Sequence, residues 1–182
     1  MIGWIIGIAV VVFILFVWFL YNALIRVKNQ VENAWAQIDV QLKRRADLIP
    51  NLIETVKGYV KHEKGVLTEV TKARTQLMQA DSVKGKAQAD NMLAGTLKSL
   101  FAVAENYPDL KANQNFLQLQ EELSGTENKV AYARQHYNDM VMKFNTKIQL
   151  FPNNIFAGML SFTKKDSFEA SAQERENVKV SF

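Results

Sequence analysis

The chain opens on twenty residues without a charge, IGWIIGIAVVVFILFVWFLY from Ile2 to Tyr21, and only afterwards does a mixed pattern begin. At 1.5 Å per residue such a run makes about 30 Å of helix, the thickness of a bilayer's hydrocarbon core. Trp4, Trp18 and Tyr21 lie near its two ends, where amphipathic rings favour the headgroup layer. A signal peptide is the poorer reading. No Lys or Arg precedes the run, it exceeds the roughly 7–15 residues of a signal core, and no small-x-small cleavage site follows. Residues 1–21 are therefore expected to be an uncleaved anchor in contact with lipid. Arg26, Lys28, Lys43, Arg44 and Arg45 follow it, so the positive-inside rule places the C-terminal domain of a single-pass protein in the cytoplasm.

Past the anchor, Leu24, Val27, Val31, Trp35, Ile38, Leu42, Ala46, Ile49, Ile53, Val56 and Val60 recur every three or four residues, a helical period that excludes strand alternation. The spacing continues to Leu67, Val70 and Leu77 and predicts one long helix, running on from the anchor to about residue 79. Pro50 interrupts it by removing the bond to the Ala46 carbonyl, which bends or breaks the rod, and Gly58 and Gly65 weaken it further. Asp81, Ser82 and Gly85 read as a turn. A second helix follows, with Met92 or Leu93, then Leu97, Leu100 and Ala104 on one face, and stops before Pro108. A third carries Phe116, Leu119, Leu123, Val130, Ala133, Tyr137, Val141, Phe144, Ile148 and Phe151 in a near-heptad stripe ended by Pro152. A short fourth holds Ile155, Phe156, Met159 and Leu160.

The predicted fold is all-α: an N-terminal transmembrane helix continuing into an antiparallel helical bundle of three long helices plus a short fourth, over residues 22–162. Connections of about 6–9 residues favour antiparallel neighbours. Residues 163–182 read as a polar tail, with Val178, Val180 and Phe182 hinting at an extended end.

Composition narrows the function. With 182 residues, 48% of them hydrophobic, there is room for one substantial core. The absence of cysteine excludes disulfides, thiolate metal sites and thiol nucleophiles. A net charge of +4 is too diffuse for a dedicated nucleic-acid binder. In the run Gln41–Asp47 the three cations Lys43, Arg44 and Arg45 point to different sides of one helix, between aliphatic rather than aromatic neighbours, which argues against nucleic acid. Lys43 is also about 33 Å of helix beyond Tyr21, outside the reach of the membrane's surface potential. A solvated or salt-bridged collar near the proline is the expected role.

No catalytic constellation emerges. His62-Glu63 starts like a zinc-protease motif, but Val66 stands where the second histidine belongs. Neither His62 nor His136 has a Glu three residues before it, as a di-metal carboxylate bundle requires, and phosphate-loop and nucleophile-elbow patterns are missing. No metal, cofactor or small-molecule substrate is expected. More telling are charges inside the apolar stripes: Glu63 and Arg74 along the first helix, Glu127 and Arg134 along the third. Buried unpaired, each would cost several kcal/mol or more, so they must be paired across the bundle or face a partner.

The residues from Tyr21 to Glu63, YNALIRVKNQVENAWAQIDVQLKRRADLIPNLIETVKGYVKHE, strongly resemble the opening of the LemA family. Ala73-Arg74, ENYPDLKAN from Glu105 to Asn113, Arg134, Tyr137-Asn138, Phe151-Pro152, Phe162 and Phe168-Glu169 extend the resemblance over essentially the whole chain. It implies a bacterial protein with an N-terminal transmembrane helix, an antiparallel helical bundle and no established activity or cofactor. Trp35, Asp39, Lys43, Arg44, Arg45, Asp47, Pro50 and Asn51 fall within the resemblance as a candidate structural or contact surface. Together these features lead to the expectation of a non-enzymatic scaffold that self-associates or organises membrane proteins. The alternative is a monomeric tethered adaptor for one partner, such as a membrane protease or sensor.

Overall fold

The structure is a computed structural model that describes residues 1–60 and 63–168. Among these residues it contains six helices and no strand: α1 (Ile2–Lys57), α2 (Lys64–Gln79), α3 (Val83–Ala104), α4 (Pro108–Lys111), α5 (Gln114–Lys147) and α6 (Asn153–Met159). The protein is all-α. Its contacts divide it into two units, one made of Met1–Ala36 with Gln135–Asp166 and the other of Gln37–Arg134 with Ser167 and Phe168, so that α1 and α5 each contribute to both.

In the first unit, every residue from Met1 to Phe16 is exposed, whatever side of α1 it occupies. α1, in an apolar window of 18 residues near its N-terminus that includes most of this stretch, is long and apolar enough to cross a membrane. Burial begins at Leu20 and continues through Leu24, Val27, Val31 and Ala34. The C-terminal half of α5 buries Tyr137, Val141, Phe144 and Ile148 in the same unit. Trp35 packs on Tyr137 with ring centroids 5.4 Å apart. Lys143 Nζ donates to Gln30 Oε1 at 3.4 Å and Lys147 Nζ to the Ala23 carbonyl at 3.2 Å, so α5 runs antiparallel to α1. Phe162 folds back edge-on to Phe144 at 6.0 Å.

In the second unit the chain reverses where the apolar stripe gave no warning. α1 ends at Lys57, and α2 starts at Lys64, so the expected helix to residue 79 is two helices joined near Gly58. Tyr59 and Val60 both donate to the Val56 carbonyl, closing α1 with a turn. Gly58 and Tyr59 form the turn, whereas Pro50, the expected weak point, lies within unbroken helix. Spacing alone cannot see this reversal, because Val60 and Leu67 are seven residues apart and stay in phase with either arrangement.

α3 then runs alongside α1. Lys86 meets Asp39, and Arg45 meets Asp90, in ascending order on both helices. It starts earlier than the sequence suggested: Ser82 caps it by accepting from the Gly85 N–H at 3.0 Å, so Gly85 belongs to the first turn, where a Cβ would come within 2.9 Å of the Ser82 hydroxyl. Pro108 opens the short α4 at the N-terminal position proline favours. α5 begins at Gln114 and ends at Lys147, four residues short of the expected Phe151. Residues 163–168 are without helix or strand, yet Phe168 is fully buried. The expected extended end at Val178, Val180 and Phe182 lies outside the described residues, as does His62.

Candidate functional site: a buried ion cluster and a capped proline

Of the three successive cations Lys43, Arg44 and Arg45, the helix turns two outward and one inward. Lys43 and Arg44 are exposed, and Arg45 is 2% exposed in the second unit. Its place was legible in a heptad-like alternation that includes it, Ile38, Leu42, Arg45, Ile49, Leu52 and Val56, all of them buried. Its partner Asp90, 4% exposed, sits in the same phase as Leu93, Leu97 and Leu100 on α3, a signal available in the sequence but masked by the polar residues around it.

Arg45 Nη1 donates to Asp90 Oδ1 at 2.9 Å, and Nη2 lies 3.5 Å from Glu127 Oε2 on α5, while Nε is buried without a protein acceptor. Arg134, one helical repeat further along α5, adds a favourable field at Asp90. Burial nevertheless dominates. It pushes the Asp90 carboxyl above the usual carboxylate range, against the pull of Arg45's charge and hydrogen bond and of Arg134. Arg45, Asp90, Asn91, Ser124, Glu127 and Arg134 line a cleft of about 210 Å³. Two cations and two anions from three helices line it: Arg45 and Asp90 are buried, Arg134 is half-buried, and Glu127 is 53% exposed at the cleft's rim.

A second polar contact resolves the proline. Pro50 has no N–H for the carbonyl of Ala46, and Ala46 is fully buried, so that oxygen has neither a helical donor nor water. Arg74 on α2 supplies the donor: its Nε reaches the Ala46 carbonyl at 2.8 Å. Two of the expected residues thus act together, the proline exposing an acceptor and the arginine of the next helix filling it.

The remaining residues take separate places. Asp39 pairs with Lys86, and both line a shallow recess with Lys43, Leu42, Leu77 and Met78. Asp47, Pro50 and Asn51 are exposed, and the Asn51 carbonyl accepts from Thr55 Oγ1 at 2.9 Å. Trp35 lies in the first unit against Tyr137. Glu63 is half-buried at the start of α2 and takes no part in the cluster. Among the described residues, no three His, Asp or Glu side chains gather as ligands of a metal would, and His136 is exposed.

The comparisons bear on the same stretches. The LemA family model matches residues 34–182, which include Arg45, Pro50, Arg74, Asp90, Glu127 and Arg134. Protein LemA of Metamycoplasma hominis is 33% identical over 165 residues, covering 88% of this chain and 74% of that protein. Magnetosome protein MamQ 2 of Paramagnetospirillum magneticum is 22% identical over 187 residues, covering 88% and 69%. Magnetosome protein MamQ of Magnetospirillum gryphiswaldense is 20% identical over 174 residues, covering 81% and 64%. With the family model spanning most of the chain and a relative at one-third identity, the chain belongs to the LemA family.

Proposed function

We propose that this protein is a membrane-anchored, non-enzymatic helical scaffold that self-associates or organises membrane proteins, with its helical body on the cytoplasmic side. The observation that carries this reading is the continuity of α1. Residues 2–19 form an apolar helix with no buried face, and from Leu20 the same helix enters a packed interior without a glycine, proline or loop between. A flexible linker would let a catalytic head sample the surface. A helix that passes directly from lipid into the body instead fixes the body's position, which is what a scaffold needs.

The chemistry of the polar cluster supports the same reading. Its charged groups are engaged with one another rather than presented as a nucleophile with a base, and the Arg74 contact serves the backbone. The basic flank from Arg26 onward supports the cytoplasmic orientation.

The test is the molar mass of full-length protein in mild detergent by light scattering, beside a fragment beginning at Asn22. A defined assembly larger than a monomer is expected for the full-length chain, and the fragment then shows whether anchor or body drives it. A strictly monomeric full-length protein would remove self-association and turn the search to an adaptor's single partner.

A further inference from the structure

Among the described residues outside the N-terminal apolar run, exposed large apolar side chains gather at the corner between α5 and α6 in the first unit. Leu150, Phe151, Ile155, Met159 and Leu160 are all exposed, Phe151 and Met159 by more than three-quarters of their surface. Ile155 and Met159 are four apart on α6 and share a face, while Ala157 between them is buried. Five large apolar side chains within eleven residues exceed the scattered exposure ordinary for a soluble surface.

Register says where this corner lies relative to the anchor. Trp35 meets Tyr137, Gln30 meets Lys143, and Ala23 meets Lys147, so each step toward the end of α5 is a step toward the start of α1. At Lys147 the pair has reached Ala23, two residues from the end of the uncharged run at Tyr21. Ile148 and Leu150 still donate to the Phe144 and Thr146 carbonyls, so the chain keeps the direction of α5 as far as Leu150, and these three residues at about 1.5 Å each cover several Å, comparable with the headgroup layer outside the hydrocarbon core. Burial of α1 already begins at Leu20, so the body reaches the end of the anchor with no spacer.

Charge agrees with this placement. Burial, and after it the positive charges of the nearby Lys143 and Arg26, pull the Lys147 ammonium below its ordinary value. Lys164 and Lys165 follow in the same unit and are exposed. Apolar side chains beside lysines and arginines are the composition of an interfacial segment on an anionic leaflet.

We propose that the α5–α6 corner, through Leu150, Phe151, Ile155 and Met159, inserts into the interface of the bilayer that holds α1, as a second, monotopic membrane contact. It rests on the reading of residues 2–21 as a membrane anchor. The two contacts together fix the body's rotation about the anchor axis, which one helix alone leaves free.

The chain has no cysteine, so single-cysteine variants report cleanly. Full-length Ile155→Cys and Met159→Cys, labelled with an environment-sensitive fluorophore, would be reconstituted into phosphatidylcholine vesicles containing phosphatidylglycerol. Phe13→Cys serves as anchor control and Tyr132→Cys as water-exposed control. Blue-shifted emission at 155 and 159, quenched by spin labels at shallow depth in the lipid and protected from iodide, is the expected result. Iodide quenching equal to that at 132, with 13 still quenched from the lipid, overturns the proposal and leaves the anchor standing. Shielding from both quenchers overturns it in favour of a second copy or another protein on the corner. Loss of lipid quenching at 13 brings down the anchor reading and, with it, the proposal.

Discussion

The two units differ in what fills them. In the first, the described interior is aliphatic and aromatic, and its polar groups reach outward to backbone carbonyls: Lys147 to Ala23, Tyr137 to Asp166, Asn145 to Lys165. In the second, a guanidinium and a carboxylate are buried in the core itself, and another arginine serves a carbonyl that a proline left open. Apolar packing rewards area and tolerates a slipped register. A charge pair satisfied at only one height does not. The first interior offers apolar area, and the second adds polar contacts that Arg45 with Asp90 and Arg74 with the Ala46 carbonyl satisfy at one alignment of their helices.

The largest test of that contrast compares two truncations of similar severity. Phe144→Ala removes a fully buried ring from the first unit, and a loss of about 3–5 kcal/mol is expected. Arg45→Met strands Asp90 and carries a similar penalty of about 3–5 kcal/mol. The difference appears on adding Asp90→Leu: the double variant Arg45→Met/Asp90→Leu is expected to recover most of the loss in urea unfolding, because the burial that raises the Asp90 carboxyl also penalises the wild-type pair. Equal losses in the single and double variants would show that the cluster contributes net stability and not alignment.

Next in size is the coupling between Pro50 and Arg74. Arg74→Met should cost about 1.5–3 kcal/mol, since it removes a charge-assisted bond and leaves the buried Ala46 carbonyl without a donor. In a Pro50→Ala background the restored N–H takes that carbonyl, and the same Arg74→Met change should cost about 1 kcal/mol less. A double-mutant cycle with no coupling would mean that Arg74 acts through its packing alone.

Much of this was open to a reader of the sequence. The N-terminal apolar helix, the all-α class and most buried positions from Leu24 to Val56, though not Ala34, Arg45 or Leu52, followed from the apolar pattern, because a helical interior leaves its period in the chain. Pro50 even named the carbonyl that it frees. What spacing did not carry was the direction of the chain at Gly58, since a reversal between in-phase segments keeps the period. Nor was Arg45 singled out from Lys43 and Arg44: its heptad-like phase with Leu42 and Ile49 is visible in the spacing, but a charge beside Ala46 reads as the stripe's edge until the helices against it are placed. Asp90 was passed over for a related reason: a lone carboxylate in an apolar phase looks like a surface residue until the arginine opposite is placed. The paired charges were anticipated in kind, with Glu127 finding its arginine, but the acid that carries the pair was not.

The smallest effect probes the first unit's polar fringe. Tyr137 is buried, its hydroxyl donates to the Asp166 carbonyl at 2.9 Å, and its ring packs on Trp35. Tyr137→Phe keeps the ring and removes the bond, so a loss of about 1 kcal/mol is expected near neutral pH. Burial, and then the charge of Asp166, raise the phenol above its ordinary 10.0. The folded state therefore holds the proton where the unfolded chain releases it, so this contribution is complete below pH 10.0 and is lost as pH rises through the higher folded value. The gap between wild type and Tyr137→Phe should accordingly narrow only above pH 10.0, with no change between pH 6 and 9. Unfolding curves across that range check both halves. A gap that closes near neutrality would place a different titrating group against Tyr137, and the first unit would then share the second's dependence on buried charge.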